Sequence, residues 1–114
     1  MAKRILSISY DESLLATRQL ILTRAGYDVK SALGFVQAQE VCRDGSFDLI
    51  ILGHSIPRRD KSAVVSLIKS SCGSTTVLSL VKPTESPIPE ANYFTYDLDP
   101  DSLIKAVRNA IGEP

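Results

Sequence analysis

The chain has one histidine, His54, and three serines that a compact fold could gather around it: Ser9, Ser55 and Ser79. A histidine beside a serine is the minimum for nucleophilic catalysis, in which the imidazole takes the hydroxyl proton. The base also needs a group to orient it, and no triad spacing supplies one. Gly53-His54-Ser55-Ile56-Pro57 is not the GxSxG nucleophile elbow. His54 therefore reads first as an exposed loop residue. The sharper readings make it a phosphorylation site, a pH sensor or a general base. Arg58, Arg59 and Lys61 form a basic cluster beside Asp60. Such a short charge run reads as a solvated loop, with a small anion or an acidic partner as its functional alternative. Cys42 and Cys72 are too few for a disulfide framework and lack CxxC spacing. They are expected to be small buried apolar residues in a reducing compartment rather than a redox pair.

The chain has 114 residues, enough for one domain spanning 1–114. Its 13 Lys+Arg balance its 13 Asp+Glu. That zero removes the compositional argument for nucleic acid or an anionic membrane as partner. The hydrophobic fraction of 44% and charged fraction of 23% are those of a soluble globular protein and argue against disorder, collagen or coiled coil. The opening MAKRILSISYDES breaks off at Ser7 and Ser9 before any signal-peptide core forms. The run Leu49–Leu52 is far short of the roughly 20 residues of a membrane span. A cytoplasmic location is expected.

The elements that would position these groups alternate in period. Residues 5–8 read as a strand, and Asp11 as the N-cap of a helix with Glu12 in its first turn. Leu14, Thr17, Ile21 and Ala25 recur at helical spacing, and Gly26 stops that helix. A strand over 28–32 and a helix over 36–43 follow. Residues 48–52, DLIIL, form an unbroken apolar strand that suits burial on both faces. A loop is predicted over 53–60, a helix over 61–71 with Val64, Leu67 and Ile68 inward, and a strand over 75–80. Pro83, Pro87 and Pro89 argue against a regular helix in 81–91. A short strand spans 93–95. Asp99-Pro100-Asp101 then opens a last helix in the order N-cap, proline, acid, with Leu103, Ala106, Val107, Ala110 and Ile111 inward.

Strand–helix alternation with short connections predicts a parallel sheet covered on both faces, in the flavodoxin-like order 2-1-3-4-5. Ligands of such sheets bind beyond the carboxyl ends of the strands, where the order reverses. Ser9, Tyr10, Gly53, His54, Ser79 and Tyr96 are predicted to lie at those ends.

With its elements in this order, the chain resembles the receiver domain of two-component response regulators over nearly its whole length. KRILSISYDESLL leading to AGYDV is similar to the family's first strand and helix, DLIILGHSIP to its third strand with the downstream proline, TTVLSL to its fourth strand, and ANYFTYDLDPDSL to its close. The resemblance implies a CheY-like three-layer fold, here with the fourth helix of the family short or absent. It also implies substitutions at the chemical positions. The acid pair that holds Mg²⁺ in the family has become Ser9 and Tyr10, the phosphoacceptor aspartate Gly53, and the invariant lysine Tyr96. Ser79 would keep the switch hydroxyl. Lys82-Pro83 looks like the family Lys-Pro but lies too early, directly after the fourth strand.

Glycine offers no carboxylate to phosphorylate, and neutral hydroxyls are poor ligands for a hard cation. Asp11 reads as a cap rather than a ligand, and Asp97 alone would make a weak cation site. The expectation is thus a domain with no cofactor, no metal and no enzymatic activity. Tyr10 and Tyr96 are expected to fill a vacated, neutral pocket, relieved of its like-charge repulsion. The predicted function is a degenerate pseudo-receiver, a protein-interaction module of phosphorelay signalling independent of phosphorylation. Its expected partners are proteins, such as a histidine kinase, another regulator or a second copy, with no nucleic acid and no membrane. The alternatives are a small-ligand or anion sensor at the switch-point crevice, with Arg58, Arg59 and Lys61 as contacts, and, last, a small enzyme using His54.

Overall fold

The computed structural model describes residues 2–43, 45–73, 75–96 and 99–114. The elements are β1 (Arg4–Ser9), α1 (Glu12–Arg24), β2 (Asp28–Leu33), α2 (Gly34–Arg43), β3 (Leu49–Leu52), α3 (Arg58–Cys72), β4 (Thr76–Leu80), β5 (Tyr93–Thr95) and α4 (Pro100–Ile111). The five strands form one parallel sheet in the order β2-β1-β3-β4-β5, as the alternation predicts. The register aligns Ile8 of β1 with Leu52 of β3, and Leu52 with Ser79 of β4.

Side-chain alternation along the strands builds two cores. Leu6, Ile8, Ile50, Leu52 and Val77 pack with Ala38, Val64 and Ile68 on the α2–α3 side. Ile5, Leu49, Ile51, Leu78 and Leu80 pack with Leu22, Leu103 and Val107 on the α1–α4 side. β3 is buried on both faces, as an apolar strand at the centre of a parallel sheet must be. The β4–β5 connection carries turns and no helix. Its prolines are compatible with packing all the same, since Ile88 is buried in the α2–α3 core.

Caps hold the two helices whose starts the sequence marks. Asp11 accepts from Leu14 N at 3.0 Å, and Asp99 from Ser102 N at 3.0 Å with Pro100 following. Gly26 takes φ +105° after α1, a conformation open to glycine.

Three expectations need correction. α3 begins at Arg58, not after a loop to residue 60. Pro57 sets up the first turn with φ −58°, and its carbonyl accepts from the amides of Asp60 and Lys61. The buried stripe of α1 is Leu15, Arg18 and Leu22; Leu14, Ile21 and Ala25 only flank it, and Thr17 is exposed. The apolar pattern marked the edge of the buried face, where Ile21 and Ala25 pack against the core, because the middle member of the buried stripe is an arginine. Finally, Cys42 and Cys72 are joined as a disulfide. They end α2 and α3, and the packing of those helices brings their Cα atoms to 5.2 Å, within disulfide reach. A separation of 30 residues carries no trace of that proximity.

Candidate functional site

The carboxyl ends of β1, β3 and β4 meet where the strand order reverses. At the end of β1, Ser9 is fully buried. Its hydroxyl lies 2.8 Å from that of Ser55 and accepts from Asp11 N at 3.0 Å, while Ser55 Oγ accepts from Tyr10 N at 3.1 Å. The two serines thus satisfy the turn from β1 into α1. Neither hydroxyl is hydrogen-bonded to the His54 ring, whose partner is Arg18.

Beyond β3, Gly53 N donates to Ile8 O at 2.8 Å. The space a side chain at Gly53 would take is held by Arg18: a Cβ there would lie 2.7 Å from Arg18 Nη1, 3.1 Å from Ile8 O and 3.2 Å from Ser9 Cβ. Arg18 is only 6% exposed. Its Nη2 donates to His54 Nδ1 at 2.8 Å, and its Nη1 is buried without a hydrogen bond. Because a guanidinium can only donate, Nδ1 is the acceptor and the imidazole is neutral, with its proton on Nε2. Burial lowers the His54 pKa, and the charges of Arg18, Lys82 and Lys61 lower it further against the attraction of Asp11. The expected neutral pocket is therefore cationic. In this arrangement His54 Nδ1 accepts from Arg18 rather than from a serine hydroxyl.

The remaining predicted residues disperse. Tyr10 is 40% exposed, and its phenol donates to Asp60 Oδ2 at 3.3 Å; burial and the Asp60 carboxylate raise its pKa. Tyr96 is 42% exposed and stands edge-on to Phe94, ring centres 5.6 Å apart. The two phenols have different partners, Asp60 for Tyr10 and Phe94 for Tyr96, and both rings are exposed. Ser79 is buried one register step before the level of Gly53, on the side of Val77 and the α2–α3 core, and its hydroxyl makes no hydrogen bond. Asp97 lies outside the described residues.

The basic cluster also separates. Arg58 clips the proline-rich connection, donating from Nε to Ser86 O at 3.1 Å and from Nη2 to Pro87 O at 3.4 Å. Arg59 is exposed beside Asp60. Lys61 is buried in α3 and donates to Leu80 O at 2.7 Å. These three residues form no common anion site. Lys82 is exposed, yet close enough to act on both His54 and Lys61.

The Mg²⁺ that the fold's best-known chemistry implies does not fit here. Of the two residues at its positions, Ser9 Oγ already accepts from a backbone amide and the Tyr10 hydroxyl donates to Asp60, while a guanidinium fills the space over Gly53. Among the described residues, no three of His, Cys, Asp and Glu gather as a metal site. Among the same residues, no helix is long and apolar enough to cross a membrane.

No family model and no curated protein matches the sequence. The structure is similar to that of the chemotaxis protein CheY4 of Vibrio cholerae, at 22% identity and a TM-score of 0.81, covering 96% of this chain and 99% of that one. It is also similar to the receiver domain of the hybrid histidine kinase CckA, at 19% identity and 0.77, covering 95% and 98%. A third likeness is to the N-terminal domain of a response regulator/sensory box/GGDEF three-domain protein of Carboxydothermus hydrogenoformans, at 24% identity and 0.77, covering 96% and 94%. The fold is that of a CheY-like receiver domain. Against that receiver fold, Arg18 is the residue that the sequence reading missed. Its signal was its position, three residues after Leu15 and four before Leu22, facing the glycine at the end of β3.

Proposed function

We propose that this receiver-fold domain serves two-component signalling as a protein-interaction module that does not depend on its own phosphorylation. The observation that carries the proposal is the Arg18 guanidinium set over Gly53. The phosphoacceptor carboxylate is missing, and a fixed cation takes up the space above it. A receiver built this way presents one conformation to its partner rather than two exchanged by a phosphoryl group. Its partner is a protein, either a histidine kinase or another regulator, or a second copy of the domain. The domain itself is not an enzyme. We place it in the cytoplasm, where cellular reductants would act on the Cys42–Cys72 bond; thiol trapping in intact cells reads that state.

The direct test is incubation with a small acyl phosphate and Mg²⁺, followed by intact mass. The expected result is an unmodified chain. A stoichiometric acid-labile phosphoryl adduct on an aspartate would overturn the proposal. The complementary measurement is binding to a candidate kinase with and without ATP, which should give the same affinity in both states.

A further inference from the structure

One covalent bond, Cys42–Cys72, closes the C-terminal ends of α2 and α3. Its two sulfurs differ in access. Cys42 is 3% exposed, whereas Cys72 is half-buried and precedes the exposed Gly73. A thiolate from solvent therefore reaches the Cys72 sulfur first. The two helices also differ in their other anchors. α3 buries Lys61, Val64, Val65 and Ile68. α2 buries only Ala38 and Cys42, both small, with Val41 partly covered beside them. Phe35 and Val36 of the same helix are exposed. The start of α2 is tied by Gln37, whose side chain accepts from Leu33 N at 2.8 Å. Its end depends on the disulfide.

We propose that Cys42–Cys72 is a thiol–disulfide switch, opened by a small cellular thiol at Cys72, that decides whether α2 stays packed on the domain. The thiolate bonds to the Cys72 sulfur, the Cys42–Cys72 bond breaks, and the electron pair leaves on the Cys42 sulfur, which takes up a proton. A second molecule of the thiol attacks the sulfur of the first, frees Cys72 as a thiol and departs as the disulfide of the reductant. The protein gains two electrons and two protons, and the reductant is oxidised. Reclosure is the reverse exchange with a small disulfide such as oxidised glutathione. With the bond gone, a helix fastened by so little buried apolar area opens before the sheet does. Its release uncovers Leu6 and Ile8 of β1 and Ala32 of β2, which share its core. Order-to-disorder steps of this kind serve as switches, and this one needs no phosphoryl group. It also needs no partner, so its failure would leave the interaction module standing.

The test treats the oxidised chain with reduced glutathione, quenches by alkylation and maps the products by mass. The mixed disulfide is expected on Cys72, followed by the dithiol chain. Hydrogen exchange of the two forms is then compared peptide by peptide. Reduction should speed exchange in α2 about tenfold or more beyond any change in α1 or α4. Cys72→Ser should show the same fast α2 without reductant. Its remaining thiol, Cys42, should be alkylated within about tenfold of its rate in urea, although the packed fold buries it. Five results would overturn the switch: a bond that reduced glutathione leaves intact, a mixed disulfide on Cys42, exchange that rises by one factor along the whole chain, α2 unchanged on reduction, or a dithiol chain that oxidised glutathione does not reclose. If Cys72→Ser does not fold, the exchange of the reduced native chain decides.

Discussion

Arg18 and Lys61 are the two buried cations among the described residues, 6% and 1% exposed, and the fold treats them differently. Burial lowers the pKa of both. Lys61 is compensated: its ammonium donates to Leu80 O at 2.7 Å, and the Glu85 carboxylate attracts it. Arg18 meets a neutral imidazole and leaves Nη1 unbonded above a glycine. A buried cation that ties a helix to a strand end reads as structure. One held without an ion pair among the described residues keeps a desolvation cost that Asp11 offsets only in part. The lysine sits in the helix closed by a disulfide, the arginine in a helix without one.

The contrast can be broken from the compensated side first. Replacing Cys42 and Cys72 with serine opens a closure spanning 30 residues and should cost about 3–4 kcal/mol, read by urea denaturation. Lys61→Ala leaves a cavity and an orphaned carbonyl at Leu80, and should cost about 2–4 kcal/mol in the same assay. A neutral result there would make Lys61 as weakly held as Arg18 and erase the distinction. On the other side, Gly53→Ala pushes a methyl to within 2.7 Å of Nη1 and should cost about 1–2 kcal/mol. The same substitution should cost less in an Arg18→Ala background, a coupling that a double-mutant cycle measures. Arg18→Leu completes the apolar stripe with Leu15 and Leu22 and should stabilise by about 1 kcal/mol. A loss of several kcal/mol would mean that Arg18 is a structural residue after all.

The fold was legible because it rests on patterns that repeat. The caps at Asp11 and Asp99, the doubly buried β3 and the prolines after β4 each carry a local signal, and the sheet order follows from their alternation. The candidate site was legible only in what it lacked. Ser9, Tyr10 and Gly53 carry no acid, and the charge beside Gly53 comes from another element, Arg18 of α1. Arg18 was hidden because polarity marks a helical position as outward, and only a neighbour without a side chain makes room for a guanidinium. The disulfide was hidden for a related reason, since pairing depends on how two helices pack. Tyr10 and Tyr96 misled in the opposite sense: aromatic residues at strand ends suggest a filled pocket, yet here they bond and stack outside it.

The smallest expected effect tests the electrostatics of Arg18 most directly. The imidazole of His54 accepts from Arg18, so protonating it would set two cations in contact. Its folded pKa is accordingly below the ordinary value of 6.5, through burial first and then Arg18, Lys82 and Lys61. As pH falls past about 6.5, the unfolded chain takes up the histidine proton before the folded one does, so stability must drop. The drop ends once the pH is below the folded value, where both states carry the proton. Thermal melts from pH 7.5 to 4.5 should show this loss in the native chain. Carboxylates add their own acid destabilisation at lower pH, so the readout is the difference between the native chain and His54→Gln. That difference should open below pH 6.5 and shrink in Arg18→Leu, where the largest of the three repelling charges is gone. If the native chain and His54→Gln lose stability in parallel, the imidazole is not held neutral by Arg18, and the contrast between the two buried cations falls with it.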